Sequence, residues 1–144
     1  MDVLQDAVAD RLRHHGLRAT ATRVAVLQAV GEMSGHPDTD AIASQVRSSL
    51  GTVSTQAVYD CLHAMTRVGL LRRIEPAGSP ARYETRVGDN HHHVVCRVCG
   101  ATRDIDCVVG AAPCLDPQDS GEFLIDEAEV TFWGLCPACQ ASAA

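Results

Sequence analysis

The chain has 144 residues, enough for one average domain or two small ones. Its net charge of −6 and pI near 5.5 mean that bulk electrostatics do not point to nucleic acid. No apolar run approaches the ~18 residues of a membrane span, and the acidic amino terminus lacks a signal peptide's basic start. The expectation is therefore a soluble cytoplasmic protein, in which seven cysteines argue for metal or redox chemistry over a disulfide scaffold.

Val3, Leu4, Ala7, Val8 and Leu12 recur at helical spacing and predict a first helix that stops at His14-His15-Gly16. Thr20 or Thr22 is placed to cap a second helix carrying Val24, Ala25, Leu27 and Val30. Gly31 and Ser34-Gly35-His36-Pro37 break it. Asp38 caps a third segment with Ile42, Ala43, Val46 and Leu50. After Gly51, Ser54 caps a fourth helix whose apolar stripe is Ala57, Val58, Cys61, Leu62 and Met65, closed by Gly69. Residues 70–75 and 81–85 read as short strands around the turn cluster Pro76-Ala77-Gly78-Ser79-Pro80. Short helices followed by a β-hairpin are the plan of a winged helix-turn-helix.

The second half changes character. Val94-Val95-Cys96 and Thr102-Arg103-Asp104-Ile105 read as strands joined by a cysteine knuckle. Phe123-Leu124-Ile125 and Val130-Thr131-Phe132-Trp133 read as further strands, and residues 110–121 as loop or poor helix. Charge divides here too: residues 1–82 carry nine Arg against eight acids, whereas 83–144 carry three Arg against ten acids. That asymmetry points to two jobs in one chain. With five aromatic residues in all, each small core rests on Leu, Val, Ile and Ala, and such cores usually need a metal, a disulfide or a partner chain.

The strongest chemical signal is Cys96-Arg-Val-Cys99-Gly100 with Cys136-Pro-Ala-Cys139, separated by 36 residues. A pair of thiolates two residues apart grips one ion from a tight turn, and two such turns complete the tetrahedral sulfur shell that Zn(II) favours. A small sheet must fold between the knuckles before they meet, so binding is expected to be coupled to folding. A thioredoxin-type reading of Cys136–Cys139 fails on space, because five residues follow Cys139. A zinc deaminase needs an H-x-E motif that is missing and Pro before the Cys pair, where Leu135 stands.

The second constellation is Asp89-Asn90-His91-His92-His93. On a strand, His91 and His93 share one face and His92 takes the other. With Glu84 upstream and Asp104 downstream, that face offers nitrogen and carboxylate donors, a shell suited to Fe(II), Mn(II) or Zn(II).

Gly16-Leu-Arg18-Ala-Thr20-Ala-Thr-Arg23, the helix start from Ser54 to Tyr59, Arg82-Tyr83-Glu84, the His run and the two Cys-x-x-Cys knuckles occur in one order. That order resembles the ferric uptake regulator (Fur) family of bacterial metal-dependent repressors over roughly residues 8–140. Tyr83 through Cys99, with Asp106-Cys107 and Ala112-Pro113-Cys114, looks like the actinobacterial branch that controls catalase-peroxidase genes.

The resemblance implies an α+β fold: a winged-helix DNA-binding domain (1–82), a hinge (83–90), and a small α/β dimerisation and metal-binding domain (91–144) stapled by the four-cysteine zinc. It implies a regulatory Fe(II) or Mn(II) site of His36, Glu84, His91, His93 and Asp104. His36 alone, in a loop before Pro37, would pass for a surface histidine. The recognition helix would present Thr55, Gln56 and Tyr59 to an A/T-rich inverted-repeat operator bound by a homodimer. Arg18 would reach a minor groove, and Arg23, Arg47 and Arg67 would hold phosphates. The family commonly has Arg after this Tyr; here Asp60 stands, which removes one phosphate contact. A further metal site at Asn90, His92 and Ala128 has one good donor, His92, with Asp89, Glu127 or Glu129 as substitutes.

Two signals compete. Asp104 is the shorter carboxylate typical of peroxide sensors, whereas Glu84 matches iron sensors, and the balance leans to peroxide. Cys107 and Cys114 are either a thiol switch or two packed small side chains; Cys61 falls on the inner face of its helix. A small zinc-dependent hydrolase is the reading from another class, but it leaves the front half unexplained.

Overall fold

The computed structural model describes residues 2–87, 91–106, 121–124 and 130–142, and the chain divides into two compact units, Met1–Val87 and Gly88–Ala144. The first unit contains α1 (Val3–His14), α2 (Ala21–Glu32), α3 (Thr39–Leu50) and α4 (Thr55–Arg67), then an antiparallel hairpin of β1 (Arg72–Ile74) and β2 (Arg82–Glu84). Each helix opens on a short polar side chain. Asp2, Thr20, Asp38 and Ser54 accept from the backbone N–H of Leu4, Arg23, Ala41 and Ala57, satisfying donors that the first turn leaves unpaired. Thr20 is thus the cap of α2 and Thr22 lies inside it. That helix runs through Gly31 and leaves helical geometry at Met33. Beyond α4 the chain reverses at Gly69, whose φ of +81° strains any side chain bearing Cβ.

The apolar stripes meet in one cluster that includes Leu12, Val26, Leu27, Ile42, Val58, Leu62, Met65, Leu70 and Tyr83, with Cys61 packed at its edge. Tyr83 ties the hairpin to the helices. Its N–H donates to Pro37 O at 3.0 Å, Arg82 Nη1 donates to His36 O at 3.0 Å, and Asp38 forms a bridge to Arg82. The loop before α3 is therefore held along β2.

The second unit contains β3 (His91–Cys96), β4 (Thr102–Asp106), β5 (Thr131–Gly134) and the short α5 (Pro137–Ser142). The sheet order is β4-β3-β5, with β4 antiparallel and β5 parallel to the central strand. One expected strand is corrected. Gly121 and Glu122 take φ of 60° and 68° in a turn, and Phe123 and Leu124 that follow are exposed outside any strand. A run of apolar residues mimicked a strand there without a face to bury. Ile125, Cys107, Cys114 and residues 110–120 lie outside the described residues. No helix among the described residues is long and apolar enough to cross a membrane.

Leu62 is fully buried in the middle of α4. Leu62→Ala is expected to lower the stability of the first unit by about 2–5 kcal/mol, measured by urea unfolding of the intact chain. A loss below ~1 kcal/mol would mean that α4 is not seated on this core.

Candidate metal centres and nucleic-acid interface

The thiols of Cys96, Cys99, Cys136 and Cys139 all lie within 4.8 Å of one another, and Cys99 Sγ and Cys136 Sγ are 3.7 Å apart. A tetrahedron with Zn–S bonds of about 2.3 Å has edges of about 3.8 Å, so the cluster fits a structural zinc in size and donor type. Strand pairing brings the knuckles together. Cys96 stands opposite Gly134 in the parallel β3–β5 pair, and Arg97 N–H donates to Gly134 O at 2.8 Å. Gly100, at φ +77°, closes the first knuckle as its N–H donates to Cys96 O at 3.0 Å. Backbone N–H groups of Cys99 and Cys136 lower the Cys96 thiol to about 6, whereas hydrogen bonding to the Cys136 and Cys96 sulfurs raises Cys139 to about 12. A cation bound by these sulfurs would displace that last proton to solvent. The Cys136–Cys139 pair does open a short helix, yet its sulfurs face the other knuckle, as a structural site requires.

Two other sets of donors assemble, one in each unit. In the first, His36 Nε2 and Glu84 Oε2 are 2.8 Å apart and both side chains are buried; Arg72 Nε approaches Glu84 Oε1 at 4.0 Å. The loop-to-strand bonds described above create this pair, so His36 is a buried histidine and not a surface one. Arg72 was not picked out from the sequence; its place opposite Glu84 in the β1–β2 register is the signal that could have found it. In the second unit, His93 and Asp104 are cross-strand partners. Asp104 Oδ1 lies 3.3 Å from His93 Nε2 and 3.6 Å from His91 Nε2, and the two imidazoles pack edge to face at 4.8 Å. His92 is buried on the opposite face, its Nδ1 without a hydrogen-bond partner among the described residues. Asp89, Asn90, Glu127, Ala128 and Glu129 lie outside them.

On α4, Thr55, Gln56 and Tyr59 are exposed on the helix's amino-terminal half. Arg47 of α3 braces that end, donating from Nε to Val53 O at 2.9 Å and from Nη2 to Thr55 Oγ1 at 2.8 Å. Arg18 and Arg67 are exposed, and the half-buried Arg23 donates from Nη1 to Arg18 O at 3.1 Å. Arg23 thus shapes the loop that presents Arg18.

Removal of the structural ion is a direct test of the four-thiolate centre. Cys136→Ser is expected to lower the zinc content, read by elemental analysis, by one ion per chain relative to the unsubstituted protein. It should also collapse the environment of Trp133, the only tryptophan, which stacks 5.5 Å from the Arg97 guanidinium. Coupling of binding to folding is of the order of 10–16 kcal/mol in small zinc domains. An unchanged tryptophan spectrum in the zinc-free variant would show that the sheet stands without the ion.

Comparison with known proteins agrees with the geometry. The family model for the ferric uptake regulator family matches residues 14–108. The transcriptional regulator FurA of Mycobacterium tuberculosis is 59% identical over 134 residues, 93% of this chain and 90% of that one. The peroxide-responsive repressor PerR of Staphylococcus saprophyticus is 27% identical over 142 residues, covering 95% and 91%. Among solved structures, the Helicobacter pylori ferric uptake regulator Fur, described with three functional metal-binding sites, superposes with a TM-score of 0.71. The two share 19% identity over 97% of each chain. The chain belongs to the ferric uptake regulator family of metal-dependent transcriptional repressors and is not an enzyme.

Proposed function

We propose that the chain is a homodimeric repressor activated by Fe(II) or Mn(II). His36 and Glu84 of the first unit and His91, His93 and Asp104 of the second act as ligands of one regulatory ion. The reading is carried by one observation: each unit already gathers a histidine–carboxylate set whose imidazoles are buried, with mixed N/O donors that suit these metals. An ion drawing ligands from both units fixes the angle between them and so the spacing of two α4 helices in a dimer. Metal then raises DNA affinity, and DNA raises metal affinity by the same factor. Thr55, Gln56 and Tyr59 read an A/T-rich inverted repeat from the major groove, Arg18 enters a minor groove, and Arg23, Arg47 and Arg67 hold phosphates.

The dimer draws support from β5. It is an edge strand among the described residues, with Phe132, Trp133 and Leu135 exposed nearby, an apolar edge that monomers avoid. The Zn(II) of the four-cysteine site stabilises this sheet and takes no part in sensing.

For the signal, the short carboxylate of Asp104 beside two oxidisable imidazoles favours peroxide, with catalase-peroxidase genes as the repressed targets. One oxygen of hydrogen peroxide enters a ligand imidazole, His36 or His91, the other leaves as water, and the damaged site loses its Fe(II). Similarity to FurA, nearer than that to PerR, favours iron sufficiency as the alternative signal.

Gel shift on an A/T-rich inverted repeat at stated salt tests the main reading. Mn(II) or Fe(II) is expected to tighten binding at least tenfold, and Glu84→Ala to remove that response while leaving the zinc content intact. Equal affinity with and without added metal would refute it. Peroxide sensing predicts a +16 Da shift on a histidine peptide of the Fe(II)-loaded protein at micromolar peroxide, with loss of the DNA complex. An iron sensor keeps both its mass and its operator.

A further inference from the structure

Gln56, Tyr59, Asp60 and His63 fall along one exposed face of α4. On that face Gln56 Nε2 donates to Asp60 Oδ1 at 2.9 Å, a side-chain bond spanning one helical turn. A carboxylate only accepts, so the amide nitrogen, and not the carbonyl oxygen, must face Asp60. The carbonyl oxygen and the second amide hydrogen remain, one acceptor and one donor, which is what the N6 and N7 edge of adenine matches. Thr55 is held in a comparable way by Arg47. Free glutamine amides flip readily, and fixing one before it meets DNA removes an ordering cost from binding.

The same carboxylate carries a negative charge on the helix face offered to a polyanion. It opposes binding to every sequence alike, because phosphate attraction is blind to sequence. Building on the DNA-binding reading above, we infer that Asp60 is a specificity-determining positioning residue. It aims the Gln56 amide at one base and suppresses non-specific binding through its charge.

The two effects separate by substitution. Asp60→Asn removes the charge but keeps an oxygen that accepts from Gln56; Asp60→Ala removes both. Because the pair is exposed, neither change disturbs the core, which circular dichroism checks. Metal-loaded wild type, Asp60→Asn, Asp60→Ala and Gln56→Ala are each used to select from a double-stranded library randomised around an A/T-rich inverted repeat. Both Asp60 variants are expected to bind the unselected library about threefold more tightly or better at low salt, a gain that shrinks as salt rises. Asp60→Ala is expected to lose about threefold to tenfold in base preference at one position of each half-site, the position that Gln56→Ala erases, while Asp60→Asn keeps it. Unchanged preference in Asp60→Ala overturns the inference, as does equal loss in Asp60→Asn. If the wild type enriches no sequence at all, the DNA-binding reading falls and takes this inference with it.

Discussion

Three imidazoles and a carboxylate withdrawn from water, His36, His91, His93 and Glu84, set the condition that the remaining structure has to meet. A buried carboxylate is tolerated only where ionic or hydrogen-bonding partners offset a desolvation cost of several kcal/mol. Glu84 finds His36 at 2.8 Å and Arg72 at 4.0 Å; Asp104, less buried, lies against His93 and His91. These contacts keep donor atoms converging on small volumes, ready for a divalent ion. Replacing buried pairs of this kind by well-packed apolar side chains is often neutral or stabilising. The presence of such groups is therefore better explained by function than by stability.

Donor chemistry also separates two kinds of metal work in one small chain. Four thiolates form a closed, soft shell around Zn(II) and hold β3 to β5, a task that a sheet this poor in aromatic residues needs done. Imidazole and carboxylate donors bind harder, more exchangeable ions, whose coming and going can serve as a signal. Each unit seats its own donors by its own packing. The α1–α4 core fixes α4 and the His36 loop, and the zinc fixes the strand bearing His91 and His93.

Much of this was legible because it is local. Thr20, Asp38 and Ser54 announce helix starts through bonds to residues three positions on, and the Cys-x-x-Cys pairs announce a metal by spacing alone. Alternation of His91, His92 and His93 across β3 follows from strand geometry. What stayed hidden depends on distant partners. The burial of His36 is set by Arg82 and Tyr83, some forty-six residues away, and the parallel pairing of β3 with β5 leaves no mark in either strand. At Phe123-Leu124 an apolar run imitated a strand, because the positive φ of Glu122 is not encoded by a glycine there. The Gln56–Asp60 bond was readable as a one-turn spacing, but its meaning needed the exposed face around it.

The central claim is that one ion takes ligands from both units. Mn(II) titration followed by electron paramagnetic resonance, on zinc-loaded wild type, His36→Ala and His93→Ala, addresses it without DNA. A shared ion predicts one such site per chain, weakened about tenfold or more by either substitution. If His36→Ala leaves Mn(II) affinity and spectrum untouched while His93→Ala abolishes binding, the ion belongs to the second unit alone, and it cannot set the angle between them.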